Sequence, residues 1–196
     1  MTERRNRGKT VVLMLIVLAA FPAMAVDDED VSIEKEGRSY RIHMAFDVPA
    51  SIDQIKSVLT DYAHPSRLTS AVTAREILGG HDGLVRVRTD FHDCVVFFCK
   101  SMTLIHDVTV STNEVRADVV PDQSDFRRGF LLWSINDSGD GGSHVVFEAI
   151  MEPDFFVPPL IGGFLISNAL RKQALTTANN LATEAPLEMP AEAHEK

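Results

Sequence analysis

Ser39-Tyr-Arg-Ile-His-Met-Ala-Phe-Asp-Val48, followed at once by Pro49-Ala50-Ser51-Ile52-Asp53-Gln54, is the stretch on which the fold of this chain turns. Tyr40, Ile42, Met44, Phe46 and Val48 alternate with Arg41, His43 and Asp47, the period of a strand with one face in a core and the other in water. Pro49 stops it. Ser51, with Gln54 three residues on, is a capping box opening a short helix whose Ile52, Ile55, Val58 and Leu59 share one side. A second short helical turn is predicted at 64–68. Six more candidate strands follow, at 72–78, 84–92, 100–110, 114–120, 130–136 and 144–152, and residues 158–181 read as an apolar helix entered through Pro158-Pro159. Strands joined by short turns make an antiparallel meander, and its apolar face needs a cover that the last helix can supply. The expected class is α+β.

Upstream, Arg4, Arg5, Arg7 and Lys9 precede an apolar run at 11–21 and the small residues Ala23 and Ala25. That is the layout of a secretory signal cleaved after Ala25, and it is shorter than the ~20 apolar residues of a spanning helix. The mature protein is expected in the periplasm or secreted. Residues 26–35 read as an acidic leader, 36–182 as one ligand-binding domain, and the Pro, Ala and Glu-rich 183–196 as a disordered tail. The 196 residues carry 19 basic and 28 acidic side chains, a net charge of −9. Loss of the signal removes four of the basic groups and only Glu3 of the acidic ones. An acidic chain without a basic stripe is a poor nucleic-acid binder. An apolar fraction of 45% excludes wholesale disorder, and two cysteines are too few for a disulfide scaffold or paired zinc knuckles.

In a meander, successive turns alternate between the ends of the sheet. One end then holds the polar turns 79–83, 111–113 and 137–142. The other holds 94–99, 121–129 and 153–164, with Phe97, Phe98, Phe126, Phe155 and Phe156 in them and Ile161, Phe164 and Leu165 at the helix entrance. Two explanations compete. These side chains fold inward and plug the core, or they rim an opening where an apolar ligand enters or a membrane or protein is touched. Cys94 and Cys99 would lie roughly 16 Å apart along one extended strand, beyond the ~7 Å limit for a bridge. With 95–98 as a four-residue hairpin loop they face each other, and in an exported chain they are expected as a disulfide. The alternative is two reduced core thiols.

The order of elements, with Phe46-Asp47-Val48-Pro49-Ala50-Ser51, Val58-Leu59-Thr60-Asp61-Tyr62, Phe130-Leu131-Leu132-Trp133 and the apolar helix from Pro158, resembles the START-related helix-grip superfamily (SRPBCC). It is most similar to the bacterial polyketide cyclase/dehydrase and coenzyme-Q-binding-like branch. The resemblance implies a curved seven-stranded antiparallel sheet gripping a long C-terminal helix, with two short helices between the first two strands. It also implies a hydrophobic cavity whose mouth is formed by the three Phe-rich loops. Relatives bind lipids, sterols, polyketides or quinones, and a minority are enzymes. The exported, cysteine-paired loop departs from a cytoplasmic cyclase or a respiratory quinone role.

No catalytic constellation is visible: no HExxH, no GxSxG, no His/Cys set at metal spacing, and hence no metal or cofactor is expected. His106 is singled out because Met102, Leu104, His106 and Val108 share the apolar face of one strand, which in this fold looks into the cavity with Trp133. It is either a hydrogen-bonded core histidine or a polar anchor for a ligand head group. Arg127 and Arg128 beside the exposed Phe residues are either solvated and paired or placed to meet anionic lipid head groups. The leading expectation is a monomeric, non-enzymatic binder or carrier of a hydrophobic, lipid-like small molecule, with transient membrane contact. A cyclase/dehydrase-type enzyme and a protein-docking module are the alternatives.

Overall fold

The computed structural model describes residues 30–95, 98–139, 141–158 and 163–188. The predicted signal segment, residues 26–29 of the leader, Phe97, Ile161 and residues 189–196 lie outside these. Eight strands form one antiparallel sheet: β1 (Val31–Glu36), β2 (Ser39–Val48), β3 (Val72–His81), β4 (Leu84–Val95), β5 (Phe98–Val110), β6 (Glu114–Val119), β7 (Phe126–Asp137) and β8 (Ser143–Pro153), in the order β1-β2-β8-β7-β6-β5-β4-β3. α1 (Ile52–Leu59) joins β2 to β3, and α2 (Phe164–Glu184) follows β8.

β2 alternates as its sequence requires, with Tyr40, Met44, Phe46 and Val48 buried and Arg41, His43 and Asp47 exposed. The capping box is complete. The Ser51 hydroxyl accepts from the Gln54 amide and the Gln54 side chain accepts from the Ser51 amide, satisfying donors that a helix start leaves free.

Three expectations are corrected. The sheet has eight strands rather than seven, because Val31–Glu36, all but its last residue read as leader, pairs with β2 through the turn at Gly37, where φ is +60°. Its Val31 is buried under α2, whose Arg171 donates to the Val31 carbonyl. The second short helix does not form: a turn at 65–66 and a bend at 67–68 replace it, with Asp61 accepting from the Ala63 and His64 amides. The segment from Thr183 is not a loose tail, since α2 runs to Glu184 and a 3₁₀ turn, Ala185–Leu187, continues it. Ala185 is fully buried there, and Arg67 forms ion pairs with Glu184 and Glu188.

Packing divides the molecule lengthwise. Ile55, Val58 and Leu59 of α1 and Ala178, Leu181 and Ala185 at the C-terminal end of α2 join Val48, Ile135 and Val145 of the sheet in a solid core. The small Ala174 and Ala178 let α2 approach the strands closely. Toward its N-terminus the same helix stands over a space that side chains do not fill.

Candidate functional site

That space is a cavity of about 390 Å³ between the inner face of the sheet and the N-terminal half of α2. This lies within the range of small-molecule sites. Ile42 and Met44 of β2, Phe91 of β4, Leu131 and Trp133 of β7, and Phe147 and Met151 of β8 supply most of the wall. Ile166, Ala169, Leu170 and Gln173 of α2 close it from above. Trp133 packs on Phe147 with ring centroids 4.3 Å apart.

Among the residues expected from sequence, His106, Met102, Leu104, Trp133, Phe98, Phe126 and Phe155 all line this one cavity. Leu165 does not; the neighbouring Ile166 takes that place, so the helical phase is one residue from that expected. Phe156 and Phe164 are 76% and 77% exposed, outside the lining.

β4 and β5 pair through Cys94↔Cys99 to Val95↔Phe98, a longer hairpin than the four-residue loop read from sequence. The cysteines form a disulfide, and Val95 and Phe98 just beyond it face the cavity. Phe126 meets Phe155 edge to face at 6.3 Å. Arg127 and Arg128, expected in a loop, belong to β7. Arg127 is held by Asp154, and Arg128 donates from Nε to Glu152 at 2.7 Å. These ion pairs, on residues that do not line the cavity, account for both cations.

The sequence reading missed a polar group inside. In β3 the register against β4 runs Val72↔Phe91, Ala74↔Asp90 and Arg75↔Thr89, with a bulge between Val72 and Ala74. Simple alternation sends Val72 and Arg75 to opposite faces; the extra residue at the bulge turns both inward. Arg75 therefore stands opposite Thr89 in the cavity wall. His106, which pairs with Val87, lies one diagonal step further across. The three cross adjacent strands, with Tyr62 from the loop after α1 beside Arg75.

Burial governs their charge. Desolvation, and then the Arg75 guanidinium, push the His106 pKa from 6.5 down to about 4 against a weaker pull from Asp107, so the ring is neutral at pH 7. Burial also lowers the Arg75 pKa, opposed by Tyr62 and Asp61. Thr89 Oγ1 and His106 Nδ1 are buried without a hydrogen-bond partner among the described residues.

No family model and no curated protein matches the chain. Solved structures do. An aromatase/cyclase from a Streptomyces species superposes with a TM-score of 0.61 at 13% identity, covering 76% of this chain and 94% of that one. A STAR-related lipid transfer protein from Xanthomonas axonopodis gives 0.60 at 16% identity, over 80% of this chain and 99% of that fragment. A START superfamily protein from Mycobacterium smegmatis gives 0.57 at 16% identity, with 76% and 99% covered. The fold is the helix-grip fold. A helix-grip domain places α2 across the sheet, and here its small and apolar side chains leave the cavity open beneath its first turns while its last turns are packed solid.

Proposed function

We propose that this protein binds a hydrophobic, lipid-like small molecule in the cavity and acts as its carrier outside the cytoplasm. The observation that carries this reading is the largely apolar cavity between the sheet and α2, within which burial of an apolar body is worth roughly 25 cal/mol per Å². The lipid-transfer neighbour of the same fold supports it. The leader with Ala23 and Ala25 and the Cys94–Cys99 disulfide support export to the periplasm or beyond. The exposed Phe156 and Phe164 at the entrance to α2 support transient contact of a monomer with a membrane during exchange. Mass spectrometry of an organic extract of the natively purified protein tests the reading. An apolar small molecule near one per chain is expected. An empty extract, joined to failure to bind any added amphiphile, would overturn it.

A cyclase/dehydrase-type enzyme is the second reading, favoured by the neutral, desolvated His106 among cavity walls and by the aromatase/cyclase neighbour. Turnover of an added polyketide chain, lost in His106→Leu with binding retained, would decide for it.

A further inference from the structure

We propose that Arg75, Thr89 and His106 form an anion anchor, and that the ligand is an amphiphile with a carboxylate head. This rests on the binding role given above and specifies its chemistry. Arg75 makes no ion pair or hydrogen bond among the described residues, although it is half-buried in an apolar cavity where an unpaired cation is costly. Asp61, whose charge favours that of Arg75, is itself engaged by Arg67 and by His64 Nδ1 at 2.8 Å. Around the guanidinium, Thr89 Oγ1 and His106 Nδ1 are two further polar atoms that lack partners. A planar carboxylate satisfies all three: two oxygens for the guanidinium fork, with lone pairs left for the Thr89 hydroxyl and an imidazole N–H.

Charge count selects a carboxylate over a phosphate monoester. Arg75 is the only Lys or Arg among the described lining residues, and the only carboxylate, Asp93, lies beside Cys94 at the mouth and accepts from Gln173 Nε2, so the deep end of the wall offers one positive charge, which matches a monoanion and leaves a dianion in deficit. Position fixes the orientation. Thr89 is six residues along β4 from Val95 at the mouth, roughly 20 Å at ~3.3 Å per residue. The head group is therefore seated deep, and the apolar chain runs back past Phe91, Leu104 and Trp133 toward Phe98 and Phe155.

Isothermal titration of the purified, delipidated protein with dodecanoate, dodecanol and dodecyl phosphate tests the assignment. Dodecanoate is expected to bind about 10- to 100-fold more tightly than dodecanol. Arg75→Met is expected to abolish that preference, chiefly by weakening dodecanoate, and Arg75→Lys to retain part of it. Circular dichroism of each variant establishes folding. Equal binding of acid and alcohol, or an unchanged preference in Arg75→Met, overturns the anchor and leaves the binding role standing. Tighter binding of the phosphate overturns the carboxylate. Failure of all three probes, with an empty native extract, overturns the anchor and the binding role together.

Discussion

His106 sits at 8% exposure with its ring held neutral by burial and by Arg75. The unfolded chain titrates this residue near ~6.5. Between that value and about 4 the unfolded state therefore carries a proton that the folded state refuses, and stability falls as the pH drops through the window. The penalty is absent above pH ~6.5 and reaches about 3 kcal/mol at the acid end. In His106→Asn, the loss of unfolding free energy between pH 7 and pH 4, read from urea melts, should be smaller than in the unsubstituted protein by about that amount. Parallel pH profiles would refute the assignment.

Arg75 shows what was hidden at this scale. His106 was legible because the alternation of β5 runs unbroken from Met102 through Val108. Arg75 was not, since a bulge is a backbone event that leaves no period in the side chains. For Arg127 and Arg128 pairing was one of the two sequence readings, and they are paired, Arg128 with Glu152 on the neighbouring strand and Arg127 with Asp154 just beyond it.

Among the elements, the β4–β5 hairpin and the end of α2 carry separable predictions. The disulfide closes a loop with a sequence separation of 5, so its chain-entropy contribution is about 2 kcal/mol. The Cys94→Ser, Cys99→Ser double variant should lose stability by about that much in denaturant melts. Its amide exchange should accelerate around Phe98 to Met102 and leave β2 and β8 unchanged. At the far end of α2, Arg67 bonds Glu184 through Nε at 2.9 Å and Glu188 through Nη1 at 2.6 Å, with Asp61 as a third carboxylate. Its side chain is 20% exposed, so the network is less screened than a surface pair. Arg67→Ala should cost about 1–3 kcal/mol and free the amides of 183–188 to exchange; no change there would refute the clamp.

The elements themselves were readable to different degrees. β2 and the capped α1 announce themselves through alternation and through Ser51 with Gln54. β1 escaped because Val31 is the only buried residue of its six, too little apolar signal to separate a strand from a solvated leader. α2 was visible as a helix but not in its rotation, because apolar residues occur on more than one side and no single stripe sets the phase.

The whole molecule is built with a filled half and an unfilled half, and Phe98, Phe126 and Phe155, one from each of the three Phe-rich turns, line the unfilled one. A void lined by Ile42, Met44, Leu131 and Phe147 forfeits contacts that an occupant restores. Ligand binding to the native state alone should then raise the unfolding temperature with the logarithm of ligand concentration. An amphiphile at a hundredfold excess over its Kd should add about 2.7 kcal/mol. Scanning calorimetry of the delipidated protein, with and without the compound recovered from the native extract, measures this. An unshifted transition at saturating compound would refute occupancy of the cavity.

β3 closes one side of the sheet with no strand beyond it among the described residues, so its outer backbone groups and the exposed Ile77 and Leu78 form a template for another chain. Two register irregularities kink it, one before Ala74 and one before Gly79. Such bends spoil the straight edge that self-association needs. The bulge that turns Arg75 inward is therefore also a guard against aggregation. Deleting Thr73 should straighten the edge while leaving Arg75 two positions from Val72 and still facing inward, so that solubility falls while ligand selectivity persists.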